Sequence, residues 1–148
     1  MTWLIPPVLV AIVAVVMIAL HRVAPVGQVL PDPLNYAVGL PIMLAGLALT
    51  LSASRRFRRV ETEIHTFRRP GRLVSDGPFA FSRNPMYLGF AVALLGFAVK
   101  LNALSTLPLV LAFVLAAQFW YIPFEERTAA RVFGEEYQAY KNRTRRWF

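Results

Sequence analysis

The chain has no cysteine, and among its 148 residues only eight are acidic and two are histidine. Without cysteine there is no disulfide, no thiolate metal site and no thiol nucleophile, and redox chemistry gives no clue to the compartment. Charge is also missing from the middle of each long apolar run. An ion-coupled transporter normally keeps an ionisable residue in its pathway, so this absence weighs against a small drug exporter of similar size. The first run, Trp3 to Leu20, lacks a basic leader and a small-residue cleavage site. It therefore reads as a retained span and not a removable signal peptide.

What is abundant is apolar: 57% of the residues are hydrophobic, far from the usual mix of a soluble domain. Four runs have the length and apolarity of membrane spans, Trp3 to Leu20, Leu34 to Ala53, Met86 to Val99 and Leu104 to Phe124. The fold class expected is all-α, an integral membrane protein with four transmembrane helices and a C-terminal amphipathic cytoplasmic helix. Residues 1–148 form a single domain on this reading: two N-terminal spans (1–53), a basic loop (54–85), a helical hairpin (86–124) and the C-terminal segment (125–148). The third run is short, so either its end lies below the headgroups or its helix continues through Lys100-Leu101. Lys100-Leu-Asn-Ala then closes a tight antiparallel hairpin with the fourth.

The net charge of +8 comes from basic residues beside the apolar runs, a pattern that fits membrane topology and anionic headgroups better than nucleic acid. Eight arginines, Arg55, Arg56, Arg58, Arg59, Arg68, Arg69, Arg72 and Arg83, lie between runs two and three. Arg127, Arg131, Lys141, Arg143, Arg145 and Arg146 follow run four, while the other two connections carry only Arg22 and Lys100. With four crossings both basic segments fall on one side, which the positive-inside rule makes cytoplasmic together with both termini. The location expected is a cytoplasmic membrane of bacterial type, with the active site on its cytoplasmic side. Small residues in the second run (Gly39, Ala45, Gly46, Ala48) and third run (Gly89, Ala93, Gly96) suit close helix packing.

Chemistry gathers at the mouth of the third span. Asp76-Gly77-Pro78 is a turn signal, and Asn84-Pro85 reads as a helix start, with Asn as N-cap and Pro at the first helical position. A helix N-terminus beside Arg83 can hold a carboxylate or phosphate. The hairpin should bring Glu125-Glu126 back beside it. Those carboxylates either favour the first turn of the C-terminal helix and neutralise arginines, or hold hydroxyls or an ammonium group. Phe79, Phe81, Tyr87, Trp120, Tyr121 and Phe124 sit at the same level, as an interfacial belt or as faces for a ligand cation. From Glu125 to Arg143, Ala129, Val132, Phe133, Tyr137 and Tyr140 recur at helical spacing. That amphipathic helix either lies in the interface, anchored by basic residues and Trp147, or packs as a lid over a site. Gly134 costs roughly 1 kcal/mol of helix propensity and allows a bend or a close contact.

The string from Leu73 through Asp76-Gly-Pro-Phe-Ala-Phe-Ser-Arg-Asn-Pro-Met-Tyr-Leu-Gly89, then Glu125-Glu-Arg127, Phe133-Gly-Glu-Glu-Tyr-Gln-Ala-Tyr140 and Arg145-Arg-Trp147, resembles the isoprenylcysteine carboxyl methyltransferase and phospholipid methyltransferase superfamily of membrane enzymes. The resemblance runs from near Thr62 to the end, and the first two runs match only as hydrophobic helices. It implies an S-adenosylmethionine-dependent methyltransferase whose cofactor site is closed by the C-terminal segment and reached from the bilayer by a small or lipophilic acceptor. Such an acceptor is an isoprenylcysteine-like carboxylate, a phospholipid amine or a thiol. The resemblance places Arg83, Asn84, Pro85, Tyr87 and Leu88 at the methionine end of the cofactor, with Leu73, Val74, Gly77 and Pro78 alongside. Glu125 and Glu126 complete the polar wall, and Tyr137, Tyr140 and Arg146 are further candidates. Arg83, Glu125 and Glu126 are the candidate catalytic residues; no metal is implied. Two positions depart from the family pattern: Asn84 stands where many members have histidine, and Thr62-Glu-Ile-His-Thr66 lacks a proline often found near Thr66. His65 reads either as a surface or as a functional histidine.

A carboxylate or thiolate acceptor needs no general base, whereas a protonated amine would need Glu125 or Glu126 with a pKa raised by partial burial. The alternative from another class is a noncatalytic four-helix membrane protein that keeps these motifs as structural caps. The sequence specifies no oligomeric state.

Overall fold

A computed structural model describes residues 5–59 and 73–148. Trp3, Thr62 to Thr66 with His65, and Arg68, Arg69 and Arg72 lie outside the described residues. The described chain is all-helical: α1 (Pro6–Val23), α2 (Leu34–Arg59), the single turn α3 (Pro78–Phe81), α4 (Pro85–Leu101), α5 (Leu107–Ala116) and α6 (Ile122–Arg143). A 3₁₀ turn, Leu104–Thr106, precedes α5, and a π turn, Ala117–Tyr121, joins α5 to α6.

Among the described residues three helical runs are long and apolar enough to cross a membrane, Pro6–Val23, Leu34–Arg58 and Leu104–Arg143, while Pro85–Leu101 is a shorter apolar helix. The short one continues through Lys100 to Leu101, one of the two outcomes expected of it.

The second helix does not stop at Ala53 but carries Arg55, Arg56 and Arg58 outward on two further turns. Arginine is a good helix former, and nothing in Ser54 to Arg59 breaks the pattern. Part of the segment expected as a loop is therefore helix, and Arg56 pairs with Asp76 across it.

Nor does a separate helix begin at Glu125. The run Leu104–Arg143 covers 40 residues, about 60 Å at 1.5 Å per residue, twice the thickness of a hydrocarbon core. Its apolar part ends at Phe124, so Glu125 and the residues after it project beyond that part. Pro123 has no N–H to donate and would interrupt a regular helix. The chain absorbs it in the preceding π turn, where the N–H of Ile122 reaches back to Ala117 O. The real break comes at Gly134, with φ 51° and ψ −119° inside α6. A Cβ there would meet nothing within 4 Å. This glycine therefore serves a bend and not a close contact.

The most intimate packing is between α2 and α4, not within the α4–α5 hairpin. Along α2 the buried positions Asn35, Gly39, Gly46, Thr50 and Ala53 alternate with exposed Leu40, Leu44, Leu47 and Leu51 at helical spacing. Gly39 and Gly46 are seven residues apart, as are Gly89 and Gly96, so each pair repeats on one helix face. A Cβ on Gly46 would lie 2.5 Å from Gly89 O, and one on Gly39 2.7 Å from Gly96 O. The helices run antiparallel with backbone against backbone, as small residues permit. Ala93 joins this contact, whereas Ala45 and Ala48 face outward.

On the other side of α4, Tyr87, Phe90, Leu94 and Ala98 pack with Val13 and Met17 of α1 and with Val110 and Phe113 of α5. The Phe90 and Phe113 rings meet edge to face at 6.3 Å. At the far end Asn102, in a left-handed conformation (φ 52°), closes the hairpin. Its side chain accepts from Val29 and Leu30 N–H at 3.0 Å and donates to Leu30 O at 2.6 Å. These bonds tie down the loop between α1 and α2.

Candidate functional site

The opposite end of the bundle carries a second core, Ala53, Val74, Phe79, Tyr137 and Tyr140. Gly77, at φ 59°, turns the chain into α3, and Phe79 N–H closes the turn on Asp76 O at 3.1 Å. The bend at Gly134 directs the last two turns of α6 onto this core. There Tyr140 donates to Phe79 O at 2.7 Å, and Tyr137 and Tyr140 meet at 6.3 Å between ring centroids. The chain then leaves the helix and lays residues 144–147 across Ser82-Arg83-Asn84.

Between these parts lies a cavity of about 460 Å³, bounded by α1, α2, the Leu73-Val74 segment, α3, the start of α4 and α6. Of the residues singled out from sequence, Leu73, Val74, Arg83, Asn84, Pro85, Tyr87, Glu125, Glu126, Tyr137 and Tyr140 line it. Gly77, Pro78, Leu88 and Arg146 are not among the lining residues. Gly77 and Pro78 shape the turn that precedes α3, and Arg146 acts from behind the wall through Glu126.

Arg83 is engaged within the protein. Its Nη2 donates to Glu126 Oε1 at 2.8 Å, and its Nη1 to Thr144 O at 2.5 Å and Lys141 O at 3.2 Å. Arg146 grips the other oxygen of Glu126, Nη2 to Oε2, at 2.6 Å. Arg83, expected beside an anion-holding helix start, is a partner in an Arg83–Glu126–Arg146 triad of net charge +1. Burial alone would push Glu126 up, but hydrogen bonds and charge from Arg146 and Arg83 outweigh it and hold the carboxyl below its ordinary range. Glu126 therefore lacks the raised pKa that a general base would need.

Asn84 occupies the N-cap position of α4, yet its side chain does not cap the helix. Its Nδ2 donates to Arg146 O at 3.0 Å, its N–H donates to Ser82 Oγ at 3.1 Å, and Ser82 Oγ donates to Arg146 O at 3.3 Å. The amide group is thus turned toward the tail, which crosses over the helix start.

Glu125 meets the side chain of Tyr87. Its Oε1 accepts the Tyr87 hydroxyl at 2.7 Å, and both residues line the cavity. Burial, with the charge of Glu126 adding to it, pushes Tyr137 up to about 12, and burial likewise raises Tyr140. Both phenols therefore stay neutral, Tyr140 donating to Phe79 O and both presenting aromatic faces.

Several lining residues carried no sequence signal. Ile5 just before α1, Pro6 and Pro7 of α1 and Thr50, Ser54 and Phe57 of α2 belong to segments that resembled the family only as apolar helices. Thr50 was the traceable one: a polar residue on the glycine face, whose hydroxyl donates to Gly46 O at 3.1 Å. Val132, expected on the packed face, is 42% exposed.

A family model described as phospholipid methyltransferase matches residues 34–136. Comparison with curated proteins and with solved structures gives no match. The matched region starts at Leu34, so it takes in α2 as well as the motifs after Thr62. Through the glycine contacts α2 and α4 form one packing unit, and both contribute walls of the cavity. The chain belongs to the phospholipid methyltransferase family, within the superfamily of membrane methyltransferases that includes the isoprenylcysteine carboxyl methyltransferases.

Proposed function

We propose that the chain is an S-adenosylmethionine-dependent methyltransferase embedded as one four-span domain in a cytoplasmic membrane of bacterial type. Both termini and the cavity face the cytoplasm, and a small or lipophilic acceptor reaches the cavity from the bilayer. The observation that carries this reading is the cavity of about 460 Å³ walled by the family motifs. That volume is within the range of about 300–1,000 Å³ for cofactor sites. Basic residues at this end of the bundle and apolar exposed faces on α1, α2 and α5 support the membrane placement.

The residues fit the cofactor chemically. The aromatic faces of Tyr87 and Tyr137 and the Glu125 carboxylate suit a sulfonium cation, while the start of α4 and the positive triad suit the carboxylate of its methionine end. When bound, the cofactor supplies an activated methyl group for in-line transfer. The work of the chain is alignment in a water-poor cavity. Tyr87 orients Glu125, and the triad fixes the wall that carries Asn84. With an amine acceptor, Glu125 is the carboxylate placed to take its proton; a carboxylate or thiolate acceptor leaves Glu125 a purely electrostatic role.

One observation favours the noncatalytic alternative: Arg83 and Asn84 already have protein partners. Titration of the protein in bilayer nanodiscs with S-adenosylhomocysteine tests the proposal. Saturable binding weakened by Asn84→Ala supports it, and no binding by the wild-type protein overturns it. Binding without transfer to any acceptor would favour the alternative.

A further inference from the structure

The π turn Ala117–Tyr121 does more than accommodate Pro123. It carries Gln118, an amide between the apolar α5 and the exposed Phe119 and Trp120, where an unbonded polar group is costly. Gln118 Oε1 accepts the indole N–H of Trp147 at 2.7 Å. Trp147 also packs against the core formed by α1, α4 and α5. Its neighbours make the contacts that finish the cavity wall. Arg146 O receives Asn84 Nδ2 and Ser82 Oγ, Arg145 O receives Arg83 N–H at 2.9 Å, and the Arg146 guanidinium holds Glu126. The tail is no longer helical after Arg143, and beyond the bonds of residues 144–146 it is held at its end by Trp147, since Phe148 is 81% exposed.

We propose that the hydrogen bond between Trp147 and Gln118 is a latch holding the C-terminal tail across Ser82-Arg83-Asn84, which makes Gln118 and Trp147 positioning residues for the cofactor wall. Neither lines the cavity. They act through Arg146 and Asn84, and this role rests on the methyltransferase reading. A π turn inserts one residue into a helix and rotates everything after it by about 100°. Here it lets Gln118 meet the tail while Tyr121 and Ile122 both remain buried.

The test uses full-length protein in nanodiscs and two readouts: affinity for S-adenosylhomocysteine and the rate at which trypsin releases the tail at Arg143, Arg145 and Arg146. Gln118→Leu and Trp147→Phe each remove one partner of the bond while keeping bulk. Each is expected to weaken binding about tenfold, the size of one lost hydrogen bond, and to speed tail release. Gln118→Glu, which keeps an acceptor, should restore both, and the double variant should be no worse than either single one. Bound S-adenosylhomocysteine should slow tail release in the wild-type protein. Faster tail release with unchanged affinity overturns the positioning role alone. Absence of any binding by the wild-type protein overturns the methyltransferase reading, and the positioning role with it. A Gln118→Leu tail cut no faster than wild type without ligand overturns the latch independently of the cofactor.

Discussion

The Arg83 guanidinium meets the Glu126 carboxylate at 2.8 Å with side chains only 9% and 13% exposed. A pair so withdrawn from water is expensive to break from one side, because the remaining charge stays buried. Glu126→Ala should therefore destabilise the protein by about 3 kcal/mol, read as a lowered Tm in nanodiscs. Glu126→Gln, which still accepts hydrogen bonds, should fall between. An unchanged Tm in the alanine variant would remove the triad from the account of the fold.

The same residue sets an acid limit. Its folded pKa is depressed, so its contribution is fully present above the ordinary glutamate value of about 4.3. The contribution is lost as pH falls through the lower, folded value. Wild-type stability should drop more steeply than that of Glu126→Gln below about pH 4.3, and the two curves should run parallel at neutral pH. Denaturation profiles of both proteins between neutral and acid pH check this; parallel acid limbs would contradict it.

Two glycines should respond to alanine for different reasons. At Gly46 the added Cβ would sit 2.5 Å from Gly89 O, so α2 and α4 must separate, and the variant should lose the fold or most of its thermal stability. At Gly134 there is open space but φ is 51°, and the strain costs about 1–3 kcal/mol. Gly134→Ala should remain folded yet bind S-adenosylhomocysteine less tightly, since Tyr137 and Tyr140 are carried by the bend. Tm and binding measured together separate the two cases.

How much of this could be read from the residues follows from the same contacts. Apolar runs and arginine placement made the helices legible, because lipid and headgroups impose patterns on composition. Asn84-Pro85 correctly marked the start of α4. The destination of the Asn84 side chain was not legible, because it depends on a tail 62 residues further on. The two glycine pairs were visible as small residues, but not as each other's partners, since register is a property of two packed helices. Glu125 and Glu126 looked alike in sequence; in the structure the first accepts the Tyr87 hydroxyl and the second is gripped by two guanidiniums.

That division yields a kinetic expectation. With an amine acceptor, Glu125→Gln should lower the transfer rate by about 10²–10⁴-fold, the span of general acid–base effects, while binding of S-adenosylhomocysteine changes little. Tyr87→Phe, which frees the carboxylate from its orienting hydroxyl, should give a smaller loss. Equal losses of rate and binding in Glu125→Gln would make it a binding residue instead.

The central claim is methyl transfer in the cavity between α2, α4 and α6. Purified protein in nanodiscs, given S-adenosylmethionine labelled in its methyl group and a panel of lipid amines, isoprenylcysteine-like carboxylates and thiols, tests it most directly. The account predicts label on at least one acceptor class, blocked by S-adenosylhomocysteine and strongly reduced by Glu125→Ala. Saturable cofactor binding with no label on any acceptor would contradict it.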